Sequence, residues 1–175
     1  VNIYKLGGTF IKKRNVTMSL TCKEQINDQF ADREEDFANA YYYFSQADNC
    51  TEGGKIGLDC FHPDLKDYES FFDYINQYGL SWDYVEAEDP TQSGYYRYQL
   101  SWGGPSDEFR IYINKDYDGK MPVYHDNGFD FDTMKVFYHY ADWFDGAIIE
   151  VPSNTKSFEV CRQLMDCLLY TSDAA

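Results

Sequence analysis

The sequence predicts an α+β domain in which helices precede and follow an antiparallel meander sheet of about four strands. Apolar residues recur at helical spacing near the beginning and end of the chain, whereas the middle alternates between apolar and polar residues with a period of two. Only short turns join the alternating segments, and parallel strands would need longer crossovers. Segregation of helices and strands along the chain is typical of α+β folds.

The first helix is predicted over residues 21–46, where Thr21 opens the capping-box sequence Thr-Cys-Lys-Glu. At about 100° per residue, its main apolar side chains fall on one side of the helix. They are Ile26, Phe30, Phe37, Tyr41 and Phe44. A second capping-box pattern at residues 32–35 leaves two shorter helices as the alternative.

An acidic stripe occupies the opposite side of this helix. It consists of Glu24, Asp28, Asp32 and Glu35. Carboxylates four residues apart on a helix repel each other by roughly 0.2–0.5 kcal/mol per pair, so the stripe does not serve helix stability. Two interpretations remain: the stripe keeps the protein in solution, or it imitates the phosphates of a nucleic acid and occupies a basic channel.

The remaining elements follow from the same periodicities. A second helix is predicted over residues 64–78, ended by Gly79. Strands are predicted at residues 80–86, 95–102, 108–114 and 133–140, and a turn at 142–146 ends the last of them. Ser153 or Asn154 is expected to cap a final helix. The strand faces predicted to be buried carry Tyr96, Tyr98, Leu100 and Trp102, then Phe109, Ile111 and Ile113, then Met134, Val136, Tyr138 and Tyr140.

The other face of the predicted sheet gathers arginines and aromatic residues. Tyr95, Arg97, Gln99, Ser101, Arg110 and Tyr112 share this face with Lys135, Phe137 and His139. One interpretation is a site for a carboxylate, a phosphate or an aromatic group. The other is a solvated face whose arginines pair with acids of the same chain, for which Glu86, Asp142 and Asp145 are the candidates. Asp142 and Asp145 are also candidates for acid–base work, although aspartate is common in turns for local reasons.

Composition narrows the class of protein. The 175 residues include 30 acidic and 15 basic ones, for a net charge of −15. Such a charge repels nucleic acid and anionic membranes, so we expect neither as a partner and expect a basic protein surface instead. No apolar run is long enough to span a membrane and no secretory signal is visible. The few cysteines lack a disulfide-scaffold or metal-ligand spacing, so we predict a cytoplasmic protein of a bacterial host, without metal or cofactor.

Both ends of the chain are expected to lie outside the native protein. Residues 1–17 are interpreted as a translated leader, because Met18 follows a basic run that can be encoded by a purine-rich stretch like a ribosome-binding site. Residues 167–175 are interpreted as the translation of a sequencing-library adapter. The predicted domain is therefore a single α+β unit over residues 18–166.

Two segments of the chain carry a resemblance. The run Tyr-Arg-Tyr-Gln-Leu-Ser-Trp-Gly-Gly-Pro-Ser-Asp-Glu-Phe-Arg at residues 96–110, followed by Asp-Trp-Phe-Asp-Gly-Ala at 142–147, resembles a pattern in uncharacterised proteins of phages and plasmids. The resemblance covers residues 95–147 and implies an origin in a mobile element. It carries no catalytic role with it.

These observations support two hypotheses of different class. The preferred one is a non-enzymatic binding protein, an anti-defence inhibitor that docks on a basic surface of a host enzyme and mimics nucleic-acid charge. The alternative is an enzyme or binding module for a small anionic or nucleotide ligand. In that case Arg97 and Arg110 would hold the anion, and Asp142 or Asp145 would act as acid or base.

Overall fold

The computed structural model describes residues 20–47, 63–87, 93–113 and 134–172. Within these residues the sheet has five strands: β1 (Ser81–Val85), β2 (Tyr95–Gln99), β3 (Ser106–Ile113), β4 (Met134–Asp142) and β5 (Asp145–Glu150). All neighbours are antiparallel and the spatial order is β1-β2-β3-β4-β5. The predicted α+β meander is confirmed, with β5 as an additional strand after the turn that was expected to end the sheet.

Within the described residues, three helices accompany the sheet: α1 (Cys22–Ala47), α2 (Phe71–Tyr78) and α3 (Lys156–Ser172). The single long first helix is confirmed, and α3 continues through part of the segment interpreted as adapter-derived. The predicted leader, residues 1–17, lies outside the described residues. No helix in the described ranges combines the length and apolar character that a membrane span requires.

The core lies between the helices and one face of the sheet. Tyr98, Phe109 and Tyr138 are cross-strand neighbours on that face, and all three are buried. From α1, Phe30 packs on Tyr138 with ring centroids 5.5 Å apart, and Phe37 packs on Phe109 at 6.3 Å. The strand face predicted from alternation is thus the buried one, apart from the partly buried Tyr96 and from Trp102. This residue lies beyond the end of β2 and is 77% exposed.

Helix α1 begins as its sequence predicts. The backbone N–H and the hydroxyl of Thr21 both donate to Glu24 Oε2 at 2.8 Å, which is the Glu half of a capping box. Toward the C-terminal end of α1, the prediction of which side of the helix is buried is wrong by part of a turn. Tyr43 is buried there, whereas Tyr41 is exposed and lies edge-on to Phe71.

Helix α2 is shorter than predicted because it begins at Phe71, not at residue 64. Ser70 is extended, and its hydroxyl accepts a hydrogen bond from the N–H of Asp73 at 3.1 Å, which fixes the start. Gly79 ends the helix with ordinary extended angles. A glycine is required for space, since a Cβ at this position would lie 2.2 Å from Cε2 of the buried Tyr98 ring.

Helix α3 is capped by Thr155, not by Ser153 or Asn154. The Thr155 hydroxyl accepts from the N–H of Phe158 at 3.2 Å. A second cap comes from α1: the Glu34 carboxylate accepts from the N–H groups of Lys156 and Ser157, at 2.6 and 2.8 Å, and from the Ser157 hydroxyl. An anion at a helix N-terminus satisfies free N–H groups and complements the helix dipole, so Glu34 fastens α3 to α1.

Candidate functional site

The predicted arginine pair lies on the face of the sheet opposite to the core. Arg97 and Arg110 are direct cross-strand partners on β2 and β3. Arg97 forms a bidentate ion pair with its other neighbour, Asp83 of β1, through Nε at 3.0 Å and Nη2 at 2.6 Å. Arg110 donates to Glu108 Oε1 at 2.6 Å and approaches His139 Nδ1 at 3.0 Å. Each guanidinium therefore has a carboxylate of its own, and no single acid bridges the pair.

Glu108 is the buried member of this group. Its burial opposes ionisation, but the neighbouring His139 and Arg110 outweigh that cost and hold the pKa of Glu108 below its ordinary value. The carboxylate is thus ionised at neutral pH and neutralises Arg110. The sequence had suggested Glu86, Asp142 and Asp145 as the acids, and the structure uses Asp83 and Glu108 instead.

Aromatic rings complete this face of the sheet. The centroids of Tyr95 and Tyr112 are 5.5 Å apart, and those of Tyr112 and Phe137 are 5.7 Å apart. The guanidinium of Arg110 lies 5.0 Å from the centroid of Tyr95, within the range of a cation–π contact. These side chains of the predicted Arg/Tyr face therefore contact one another, whereas the hydroxyl of Ser101, expected on the same face, bonds on the core side of the sheet.

Asp142 and Asp145 lie elsewhere, opposite each other at the β4–β5 turn. Asp145 Oδ2 accepts from the N–H of Cys22 at 2.7 Å, and Oδ1 accepts from the N–H of Gly146. The partner of Arg110 on β4 is Phe137, five residues before Asp142. That separation is roughly 16 Å along a strand, so the predicted anion holders and the predicted acid–base groups do not converge.

A buried polar cluster between α1 and the sheet was missed by the sequence analysis. Asp107 is 2% exposed and accepts from Arg33 Nε at 2.8 Å, from Arg33 Nη2 at 3.1 Å, from the Tyr138 hydroxyl at 2.7 Å and from the Ser101 hydroxyl. Burial would lower the pKa of Arg33, but hydrogen bonds and charge from Asp107 raise it. Arg33 also donates to the Tyr78 hydroxyl at 2.8 Å. The sequence did contain an indication of this cluster. Asp107 lies two residues before Phe109 on the same strand, so alternation places its side chain on the buried face of the sheet.

The second feature missed from sequence is a group of exposed aromatic side chains at one end of the sheet. The loops after β2 and β4 lie together there, because Ser106 pairs with Ala141 and Asp142 pairs with Asp145. We call Trp102, Trp143 and Phe144 the aromatic tip. Trp102 is 77% exposed, Trp143 is 85% exposed and Phe144 is fully exposed. The two loops touch, since a Cβ at Gly104 would lie 3.0 Å from Trp143 Nε1.

Trp143 has an unusual backbone conformation. Its φ is 52°, and it is the one non-glycine residue with positive φ among the described residues. A bulky L-residue in this region carries a cost of about 1–2 kcal/mol that glycine would avoid. The sequence signal was the turn itself, Asp-Trp-Phe-Asp, which places two large aromatic residues where turns normally carry small polar ones.

The acidic stripe runs along α1 away from this tip. All four members, Glu24, Asp28, Asp32 and Glu35, are exposed. The bond between Asp145 and the Cys22 amide places the first turn of α1 beside the β4–β5 turn. From Glu24 to Glu35 the stripe extends roughly 16 Å at the rise of an α-helix. The aromatic tip and the acidic stripe therefore adjoin one another.

Comparison with known proteins adds no assignment: no protein-family model, curated protein or solved structure matches this chain. Within the described ranges, no three or more His, Cys, Asp or Glu side chains are grouped as metal ligands would be. The function must therefore be argued from the geometry of the sites themselves.

Proposed function

We propose that this protein acts by binding a basic surface of another protein, with the aromatic tip and the acidic stripe as its contact surface. The observation that carries the proposal is Trp143, which is 85% exposed and held at a φ of 52°. Folding gains little from an exposed indole, and the turn would be less strained with glycine. A role in contacting a partner explains why an aromatic residue occupies this position.

The chemistry of the surface identifies the kind of partner. Tryptophan is among the residues that contribute most to the affinity of protein interfaces, particularly when several are clustered. Asp142 and Asp145 flank the tip, Glu24 and Asp28 continue the negative charge along α1, and the whole chain carries −15. Carboxylates attract lysine and arginine, and indole faces bind the same cations by cation–π contacts. A second copy of this acidic chain would be repelled, which favours a basic partner of a different sequence.

The resemblance to proteins of phages and plasmids suggests a setting for this activity. A mobile element in a bacterial cytoplasm gains from an inhibitor of a host defence enzyme that handles nucleic acid. The acidic stripe would then occupy the position of the phosphates in that enzyme's basic channel. Long-range attraction between the two surfaces would raise the association rate, and salt would lower it.

The alternative, an anion or nucleotide site on the Arg/Tyr face, is less well supported. A ligand there would have to displace Asp83 from Arg97, or displace Glu108 from Arg110. The acids proposed for catalysis also lie roughly 16 Å along β4 from the residue that faces Arg110.

The proposal is tested by capture from a bacterial lysate followed by a measured affinity for each captured protein. Three baits are compared: the wild type, Trp143→Gly and Tyr42→Ser. Glycine accepts the positive φ, so Trp143→Gly removes the indole without disturbing the turn. Tyr42 is 55% exposed near the far end of α1, and its replacement is a matched control for loss of an exposed aromatic side chain.

We expect a partner whose Kd rises at least about tenfold for Trp143→Gly and stays unchanged for Tyr42→Ser. The Kd should also rise at least about tenfold between roughly 0.05 M and 0.5 M salt, because screening weakens the attraction between opposite charges. Partners that bind Trp143→Gly as well as wild type, binding that salt leaves unchanged, or no specific capture at all would each contradict the proposal.

A further inference from the structure

A pocket of about 280 Å³ lies between α1 and α2, at the far end of the acidic stripe from the aromatic tip. Three tyrosines, Tyr68, Tyr74 and Tyr78, form its aromatic walls. Asp36 and Asn39 of α1 and the segment 63–65 complete the lining. Among the residues that the structure describes, no lysine or arginine lines it.

The three rings are inclined to one another as the walls of a cage are. Tyr68 and Tyr74 meet edge to face, with centroids 5.2 Å apart and planes at 88°. Tyr74 and Tyr78 follow at 5.4 Å and 51°. Tyr74 is almost completely buried and Tyr78 is half-buried, so both rings are held in place by the core. Three rings so placed surround one small group without needing to rearrange.

The charge around the cage is negative. Asp36 and Asp64 are exposed carboxylates of the lining, and the Tyr78 hydroxyl donates to Asp36 Oδ2 at 2.6 Å. Burial raises the pKa of Tyr74, the nearby carboxylate of Asp36 adds to this shift, and Arg33 opposes it. The carboxylate of Asp36 would attract a cation in the pocket.

One of the three rings, Tyr78, already makes a cation–π contact with Arg33 of the same chain. The Arg33 guanidinium lies 5.6 Å from the centroid of the Tyr78 ring. The ion pair with Asp107 holds this arginine outside the pocket, so it does not occupy the cage. The contact involves one ring of the three, and it leaves Tyr68 and Tyr74 to face the pocket.

We propose that the pocket is a binding site for an alkylammonium group, such as the side chain of a lysine or methylated lysine or the head of a quaternary amine. Aromatic cages attract such cations through the negative faces of their rings, and adjacent carboxylates add charge attraction. The site is separate from the aromatic tip and does not depend on the function proposed for it.

The test uses choline as the cation and 3,3-dimethyl-1-butanol as its neutral counterpart of the same shape. Each is titrated into the full chain, and binding is followed by the chemical shifts of backbone amides. We expect choline to shift the amides around Tyr68, Tyr74 and Asp36 with a Kd on the order of millimolar, which is typical for so small a ligand. The neutral alcohol should bind at least about fivefold more weakly, because it lacks the charge that the rings recognise.

Tyr68 is the ring to vary, since Tyr74 is a buried core residue and the Tyr78 hydroxyl bonds to both Arg33 and Asp36. Tyr68→Leu keeps an apolar wall but removes the π-face, and we expect it to weaken choline binding roughly fivefold to tenfold. Tyr68→Phe should retain binding. Asp36→Asn should weaken it, whereas Asp67→Asn, at an exposed residue outside the lining, should not.

Equal binding of the alcohol and choline would overturn the proposal, because it would show that the positive charge does not contribute to the affinity. Full binding by Tyr68→Leu would overturn it too. Amide shifts centred on the acidic stripe would show that choline is a counter-ion, and this outcome would also count against the site. A failure here leaves the capture experiment with Trp143→Gly unaffected.

Discussion

Replacing Arg33 with methionine is expected to destabilise this domain strongly. Methionine has similar length but no charge, so the carboxylate of Asp107, 2% exposed, would stay buried without its cation. The change removes the two N–H groups that Arg33 donates to Asp107 and the one that it donates to Tyr78. Breaking a buried ion pair by removing one partner costs about 3–5 kcal/mol. We expect a loss in that range in the free energy of unfolding.

Urea denaturation near neutral pH measures this loss, and Arg162→Met is the matched control. Arg162 also contacts two acids, Glu159 and Asp166, but this network lies on the surface of α3. Exposed ion pairs contribute about 0–1 kcal/mol, so the control should lose little. The reasoning is refuted if the two variants lose the same free energy to within about 0.5 kcal/mol.

A double variant separates loss of charge pairing from loss of packing. Adding Asp107→Asn to Arg33→Met removes the unpaired charge while keeping a side chain of the same size. We expect the double variant to be more stable than Arg33→Met alone, by about 1–3 kcal/mol, because the buried group is then neutral. The opposite result is that Asp107→Asn lowers the free energy of unfolding further when it is added to Arg33→Met. In that case the loss in Arg33→Met comes from the packing of the arginine stem and not from its charge.

Two further predictions concern the Arg/Tyr face. Arg97→Ala should cost less than about 1 kcal/mol in urea denaturation, because its ion pair with Asp83 is partly exposed, and a cost above about 2 kcal/mol would contradict this. Glu108→Gln should flatten the acid limb of the stability–pH profile. Because folding lowers the pKa of Glu108, its contribution is present above the unfolded value of about 4.3 and is lost as the pH falls through the folded value. Parallel stability–pH profiles for the wild type and Glu108→Gln would show that this carboxyl does not contribute to the pH dependence of stability.

The sequence by itself determined the local features of this protein. Alternation placed Phe109 and Tyr138 on the buried face, and the short turn between β2 and β3 was enough to place Arg97 beside Arg110. The capping box at Thr21 set the start of α1. These features depend on residues that are close in the chain, where periodicity and turn length fix the geometry.

The tertiary structure decided which distant residues meet. Asp107 is paired with Arg33, 74 residues away, and Glu34 caps a helix that begins more than 120 residues later. No local pattern specifies such a partner, because it depends on how the helices lie across the sheet. The extra strand β5 likewise depended on its pairing with β4, since its short segment has weak alternation of its own. The same long-range arrangement brought the two loops of the aromatic tip together and set α2 beside Asp36, so the surfaces proposed for binding exist only in the folded chain.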